Sequence, residues 1–149
     1  MRAKFVFEVG ESNVEPYPIS KKQVKENNIV YYFNVLNNNF FINFENYRDN
    51  YFECQLDFRI TGNGGYSTIN TGDLYKIMST LIMVTKEFIT EYKPKIIHII
   101  PKSDYPNDLR RYNVFKQYFI KNFSDTFKLI ETIHPGTNEP AMVAINKTL

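Results

Sequence analysis

The sequence predicts an α+β protein of one domain, built on a mixed sheet with two helices. Three observations carry that prediction. In FECQLDFRI, Phe52, Cys54, Leu56, Phe58 and Ile60 alternate with Glu53, Gln55, Asp57 and Arg59, the period of two expected of a strand with one buried face. From Thr71 the period changes: Leu74, Ile77, Met78, Leu81, Ile82, Phe88, Ile89 and Tyr92 recur at steps of three and four, as on one side of an amphipathic helix. Two further apolar runs, KIIHII and AMVAINK, flank a second helical pattern, so strands and helices are interleaved along one chain.

Each element has its own warrant. KFVFEV, residues 4–9, alternates and is expected to be the first strand. The polar stretch ESNVEPYPISKKQVKENN carries Pro16 and Pro18 and is expected to hold one short helix after Ser20. IVYYFNVL and FFINFENY are aromatic and β-branched runs separated by Asn37, Asn38 and Asn39, residues that tolerate the left-handed backbone of a tight hairpin. The helix from Thr71 is capped by Thr71 or Asn70, places Asp73 at the positive end of its dipole and stops at Pro94. KIIHII is almost wholly apolar, as a central strand covered on both faces would be. Pro106 suits the first turn of a second helix reaching Phe123, with Leu109, Tyr112, Phe115 and Phe119 inward. FKLIETI and AMVAINK then form two strands joined by HPGTNEP. The expected order is β-β-β-β-α-β-α-β-β, and no linker or repeat divides it.

The chain of 149 residues is long enough to bury one core without staples. A formal charge of +2 supplies no strong field towards nucleic acid or anionic lipid. The lone cysteine, Cys54, cannot form an intrachain disulfide, and the opening MRAKFVFEVGES alternates instead of carrying a continuous apolar signal. A cytoplasmic protein without a membrane span is expected. Phenylalanine, tyrosine, asparagine, lysine and isoleucine are all frequent, which points to an A/T-rich genome, bacterial or viral.

The element order, together with Arg59, Gly62 and Gly64 in RITGNGG, resembles the GNAT fold of the acetyl-CoA-dependent N-acyltransferases. In that family a Gln/Arg-x-x-Gly-x-Gly/Ala loop holds the CoA pyrophosphate on backbone amides at a helix N-terminus. The resemblance implies a mixed GNAT-like sheet, with Arg59, Gly62 and Gly64 as the cofactor-binding residues. It also implies a base on the polar face of the strand before the loop, Glu53 or Asp57, and Tyr112 as the acid for the departing thiolate.

A second resemblance covers TGDLYKIMSTLIMVTKEFITEYKPKIIHIIPKSDYPNDLRRYNVFKQYF. With Thr71 and Gly72, the Ser79–Thr80 pair, Pro94, Lys102 and Ser103, and Arg110, Arg111 and Tyr112, it looks like a group of small, mostly uncharacterised phage-type proteins of reduced GNAT-like fold. If Gly72 is the matching glycine, GNGGYSTIN is an inserted loop, and no cofactor is expected.

Other residues have plainer readings. His98 between isoleucines is expected to be a hydrogen-bonded core histidine, His134 a turn residue and Cys54 core filler; two histidines and one cysteine give a metal site little support. Lys102, Arg110, Arg111, Lys116 and Lys121 interleave with Tyr105, Tyr112 and Tyr118, which is the composition of a nucleic-acid face or of a solvated face over a tyrosine-rich core. The reading favoured is a non-catalytic phage-type interaction protein, a virion component or host-factor binder, associating with a protein partner or with itself. The exposed rings of YYFNVLNNNFFINF are its expected contact points. The alternatives are an acetyl-CoA-dependent N-acyltransferase and a nucleic-acid-binding protein.

Overall fold

The computed structural model describes residues 15–35, 38–59, 71–99, 110–134, 136 and 138–148. In chain order they form β1 (Lys21–Val24), β2 (Asn28–Val35), β3 (Asn38–Arg48), β4 (Tyr51–Arg59), α1 (Thr71–Tyr92), β5 (Ile96–Ile99), α2 (Arg110–Phe123), β6 (Phe127–Ile133) and β7 (Pro140–Asn146). The strands make one sheet in the order β1-β2-β3-β4-β5-β7-β6. Neighbours are antiparallel except β4 and β5, which are parallel. A parallel pair requires a crossover, and α1 supplies it. A second helix, α2, leads from β5 to β6, and β7 then returns between them.

The order of elements is the expected one, but its first strand is a different segment. KFVFEV lies outside the described residues, and the short helix expected after Ser20 is instead β1, whose Lys21 to Val24 pair with Tyr32 to Ile29. A four-residue segment gains too few hydrogen bonds to offset helix nucleation, whereas the edge of β2 offers a ready ladder. Ser20 extends it by donating its N–H to the Tyr32 carbonyl at 2.9 Å. The hairpin turn also shifts: Val35 pairs with Asn38, so Asn38 and Asn39 belong to β3, and Leu36 and Asn37 lie outside the described residues. Pro106 and Leu109 lie outside them too, while the end of α2 at Phe123 is as expected.

Two left-handed residues set the turns that matter. Asn50, at φ 58°, closes the β3–β4 turn, and its carbonyl accepts the Lys95 N–H at 2.9 Å, tying the start of β5 to that turn. Lys93, at φ 48°, ends α1, with its N–H donated to the Ile89 carbonyl at 3.0 Å and Pro94 following. Asn146 completes this corner: its Nδ2 donates to the Pro94 carbonyl at 3.1 Å and its N–H to the Lys95 carbonyl at 2.8 Å.

Both helices cover the same face of the sheet. Phe88 of α1 stacks on Phe44 with centroids 3.8 Å apart and meets Phe52 edge-on, while Phe119 of α2 meets Phe127 edge-on. Register puts Ile29, Phe44, Cys54, Ile99, Met142 and Glu131 in one row on this side. All but Glu131 are buried, and burial of such aliphatic and aromatic side chains stabilises by roughly 1.5–3 kcal/mol each. The row beside it, Asn28, Glu45, Glu53, His98, Val143 and Ile130, faces the other way. No described helix lies on that face. Among the described residues β5 thus has a helix on one side only, where its composition suggested cover on both: Ile97 and Ile99 are buried, and Ile96 and His98 are half-buried.

Candidate functional site

Two places in this fold bear on function: the end of the β4–β5 pair, where the sequence places the cofactor-binding residues, and the open face of the sheet, which gathers chemistry-bearing side chains. At the first, the two strands lie side by side, with Tyr51 to Cys54 pairing with Ile96 to Ile99. Beyond Cys54, β4 continues against β3 as far as the Arg59–Asn39 pair. The residues assigned to the cofactor are placed as follows. Arg59 ends β4, and its side chain, like that of Asp57, lies outside the described residues; so do Gly62 and Gly64.

Glu53 and Tyr112, assigned as base and acid, are not brought together. Glu53 is on the open face, opposite Glu45 of β3 and His98 of β5. Tyr112 stands in the first turn of α2, on the helix-covered side, and is buried. Its hydroxyl donates to Glu131 Oε1 at 2.7 Å, and Lys116 Nζ donates to the same oxygen at 3.1 Å. Burial first, then this bond to a carboxylate, pushes the Tyr112 phenol far above its usual range. The same two bonds, Tyr112's before Lys116's, hold Glu131 below the usual carboxylate range. A phenol in this position keeps its proton.

The basic stretch on α2 is arranged differently from a stacking surface. Tyr112 and Tyr118 are buried and face the core, and Lys116 is paired with Glu131. Of the rings that interleave with cations in the sequence, Tyr112 and Tyr118 are therefore inside, as in a charged face over a tyrosine-rich core, and Tyr105 lies outside the described residues.

The open face carries features that sequence reading did not assign. His98 is not a core histidine. It lies half-buried with its ring edge-on to Tyr47, centroids 5.5 Å apart. Partial burial lowers its pKa from 6.5, against the pull of Glu53 and with the help of His134. Tyr47, about half exposed at 49%, also meets Tyr51 edge-on, and the Arg48 guanidinium lies 5.4 Å from the Tyr51 centroid. Further along the face Tyr32 packs against Phe41, with Lys21 Nζ 5.7 Å from the Tyr32 centroid and the Tyr32 hydroxyl donating to Gln23 Oε1 at 3.1 Å. Period-two alternation was the signal available: in β2 and β3 every second ring must leave the core. Accordingly Tyr31, Phe33, Phe40 and Phe44 are buried on the helix side, and the contact points expected from this hairpin reduce to Tyr32 and Phe41.

A third cluster is structural. Lys22 Nζ donates to Glu91 Oε1 at 2.6 Å, across from the rings of Tyr31 and Tyr92. It ties β1 to the last turns of α1, and no local pattern could show it because the partners are 69 positions apart. Cys54 is the core filler expected, with burial pushing its thiol up to about 12. Among the described residues no group of three acidic, histidine or cysteine side chains is placed to hold a metal, and no helix is long and apolar enough to cross a membrane. Comparison with protein-family models, with curated proteins and with solved structures finds no match to this chain.

Proposed function

We propose that this chain is a non-catalytic interaction protein of phage type on a GNAT-like scaffold, a virion component or a binder of a host factor in the host cytoplasm. Its protein partner is engaged through the open face of the sheet. The observation that carries this reading is the one-sided cover: both described helices pack on one face, and the other presents Tyr32, Phe41, Tyr47 and Tyr51 with cations beside them. Large rings with a polar edge are favoured at protein interfaces, where they bury area at little entropic cost. The single parallel pair β4–β5 and the insertion of β7 between β5 and β6 support the GNAT-like assignment. No cofactor enters this reading.

A second reading, an acetyl-CoA-dependent N-acyltransferase, is favoured by one observation: β4 runs on for five residues, to Arg59, beyond its last pair with β5 at Cys54. Against it stand the separation of Glu53 and Tyr112 across the sheet and the commitment of the Tyr112 proton to Glu131. A thermal melt with and without millimolar acetyl-CoA separates the two, because a ligand bound only by the native state raises the midpoint by mass action. The interaction reading predicts an unchanged midpoint. A rise that grows with acetyl-CoA concentration would reverse the ranking.

A further inference from the structure

The two edges of the sheet are built differently. β1 has only four residues, carries Lys21 and Lys22 and is tied down by the Lys22–Glu91 ion pair, which are ordinary protections of an edge. β6 has seven residues without proline, and its Ile130 and Ile133 are 40% and 55% exposed. Its backbone directions follow from two bonds: the Lys147 N–H donates to the Thr126 carbonyl, and the His134 N–H to the Glu139 carbonyl. Alternation across the unbroken β6–β7 register then turns Lys128, Ile130 and Thr132 towards β7. Phe127, Leu129, Glu131 and Ile133 direct their N–H and C=O groups outward.

We propose that β6 pairs with β6 of a second copy of this chain, antiparallel about a two-fold axis through Ile130, joining the two sheets into one. Only this register pairs all four outward residues, Phe127 with the partner's Ile133 and Leu129 with the partner's Glu131, for about eight backbone hydrogen bonds. Centring on Leu129 leaves Ile133 without a mate. Centring on Glu131 sets two carboxylates directly opposite each other, which is destabilising.

The chosen register also accounts for the exposed side chains. Ile130 meets the partner's Ile130 on the open face. Ile120, 44% exposed, stands one turn beyond Lys116, whose ammonium reaches Glu131 of β6. It therefore overhangs the Phe127 end of β6, where the partner's Ile133 arrives. Three exposed isoleucines are covered in one arrangement. The pairing stands on the geometry of the edge alone and does not depend on what the open face binds.

Sedimentation velocity at tens of micromolar protein should show a dimer. Ile130→Lys, which sets two ammonium groups face to face, should give a monomer with unchanged circular dichroism. Ile130→Cys tests the register: a non-hydrogen-bonded pair brings the two Cα atoms to about 4.5 Å, so an intermolecular disulfide should form under mild oxidation, whereas Thr132→Cys should give none. A monomeric wild type, a dimer that survives Ile130→Lys, or equal cross-linking of both cysteine variants would overturn the proposal.

Discussion

Thr80 shows how one side chain can fix a whole segment. It is fully buried within α1, donates its hydroxyl to the Lys76 carbonyl at 2.8 Å and accepts the Tyr17 N–H at 2.8 Å. The chain before β1 is thus anchored on the helix layer, where Tyr17 stacks on Phe33 and lies under the Lys76 ammonium. Thr80→Val keeps the shape but leaves the Tyr17 N–H without its acceptor, so a loss of about 1–2 kcal/mol is expected from urea unfolding. Thr80→Ser should lose less, and a neutral valine variant would show that the anchor contributes nothing. His98 gives a pH prediction. Its folded pKa is lowered from 6.5, so the unfolded chain binds the proton more readily. Stability should therefore be fully present above pH about 6.5 and decline as pH falls through the folded value. His98→Gln should remove the part of the decline that sets in below pH about 6.5, which paired urea titrations would read directly.

At the scale of elements, α1 ends on a lysine where glycine would be at ease. An L-residue at φ 48° carries a steric penalty that glycine escapes, so Lys93→Gly should stabilise by about 0.5–1 kcal/mol, read from the urea midpoint at unchanged slope. No gain would mean that the Lys93 side chain has a compensating contact. Elements such as α1 were legible because a period sustained over many residues outweighs local noise. Strand β4 was legible through its alternation, and β6 and β7 as two strand-like runs on either side of the HPGTNEP loop. What misled was short or two-valued: KKQV joins β2 only because the neighbouring edge exists, which no local pattern encodes. The composition of KIIHII indicated two covered faces, yet His98 is the residue that turns to the open one. The candidate site was the least legible part. Sequence placed Glu53 on a polar face and Tyr112 on an apolar one, but only the topology puts the sheet between them and Glu131 under the Tyr112 hydroxyl.

At the scale of the molecule, a seven-stranded sheet with both described helices on one side divides the labour between its faces. The covered face holds the stacked rings of Phe44, Phe88 and Tyr92 and most of the buried side chains of the sheet. The proposed function belongs to the open face, and the central claim is that a protein partner sits on it. The most direct measurement is affinity capture from a lysate of the native or infected host cell, comparing the wild type with the double variant Tyr47→Ser, Tyr51→Ser. Glu131→Gln, on the other side of the sheet, serves as the control. A partner retained by the wild type and by Glu131→Gln, and lost by the double variant at unchanged thermal midpoint, is the predicted result. Equal retention by all three proteins, or no protein retained by any, would contradict the account.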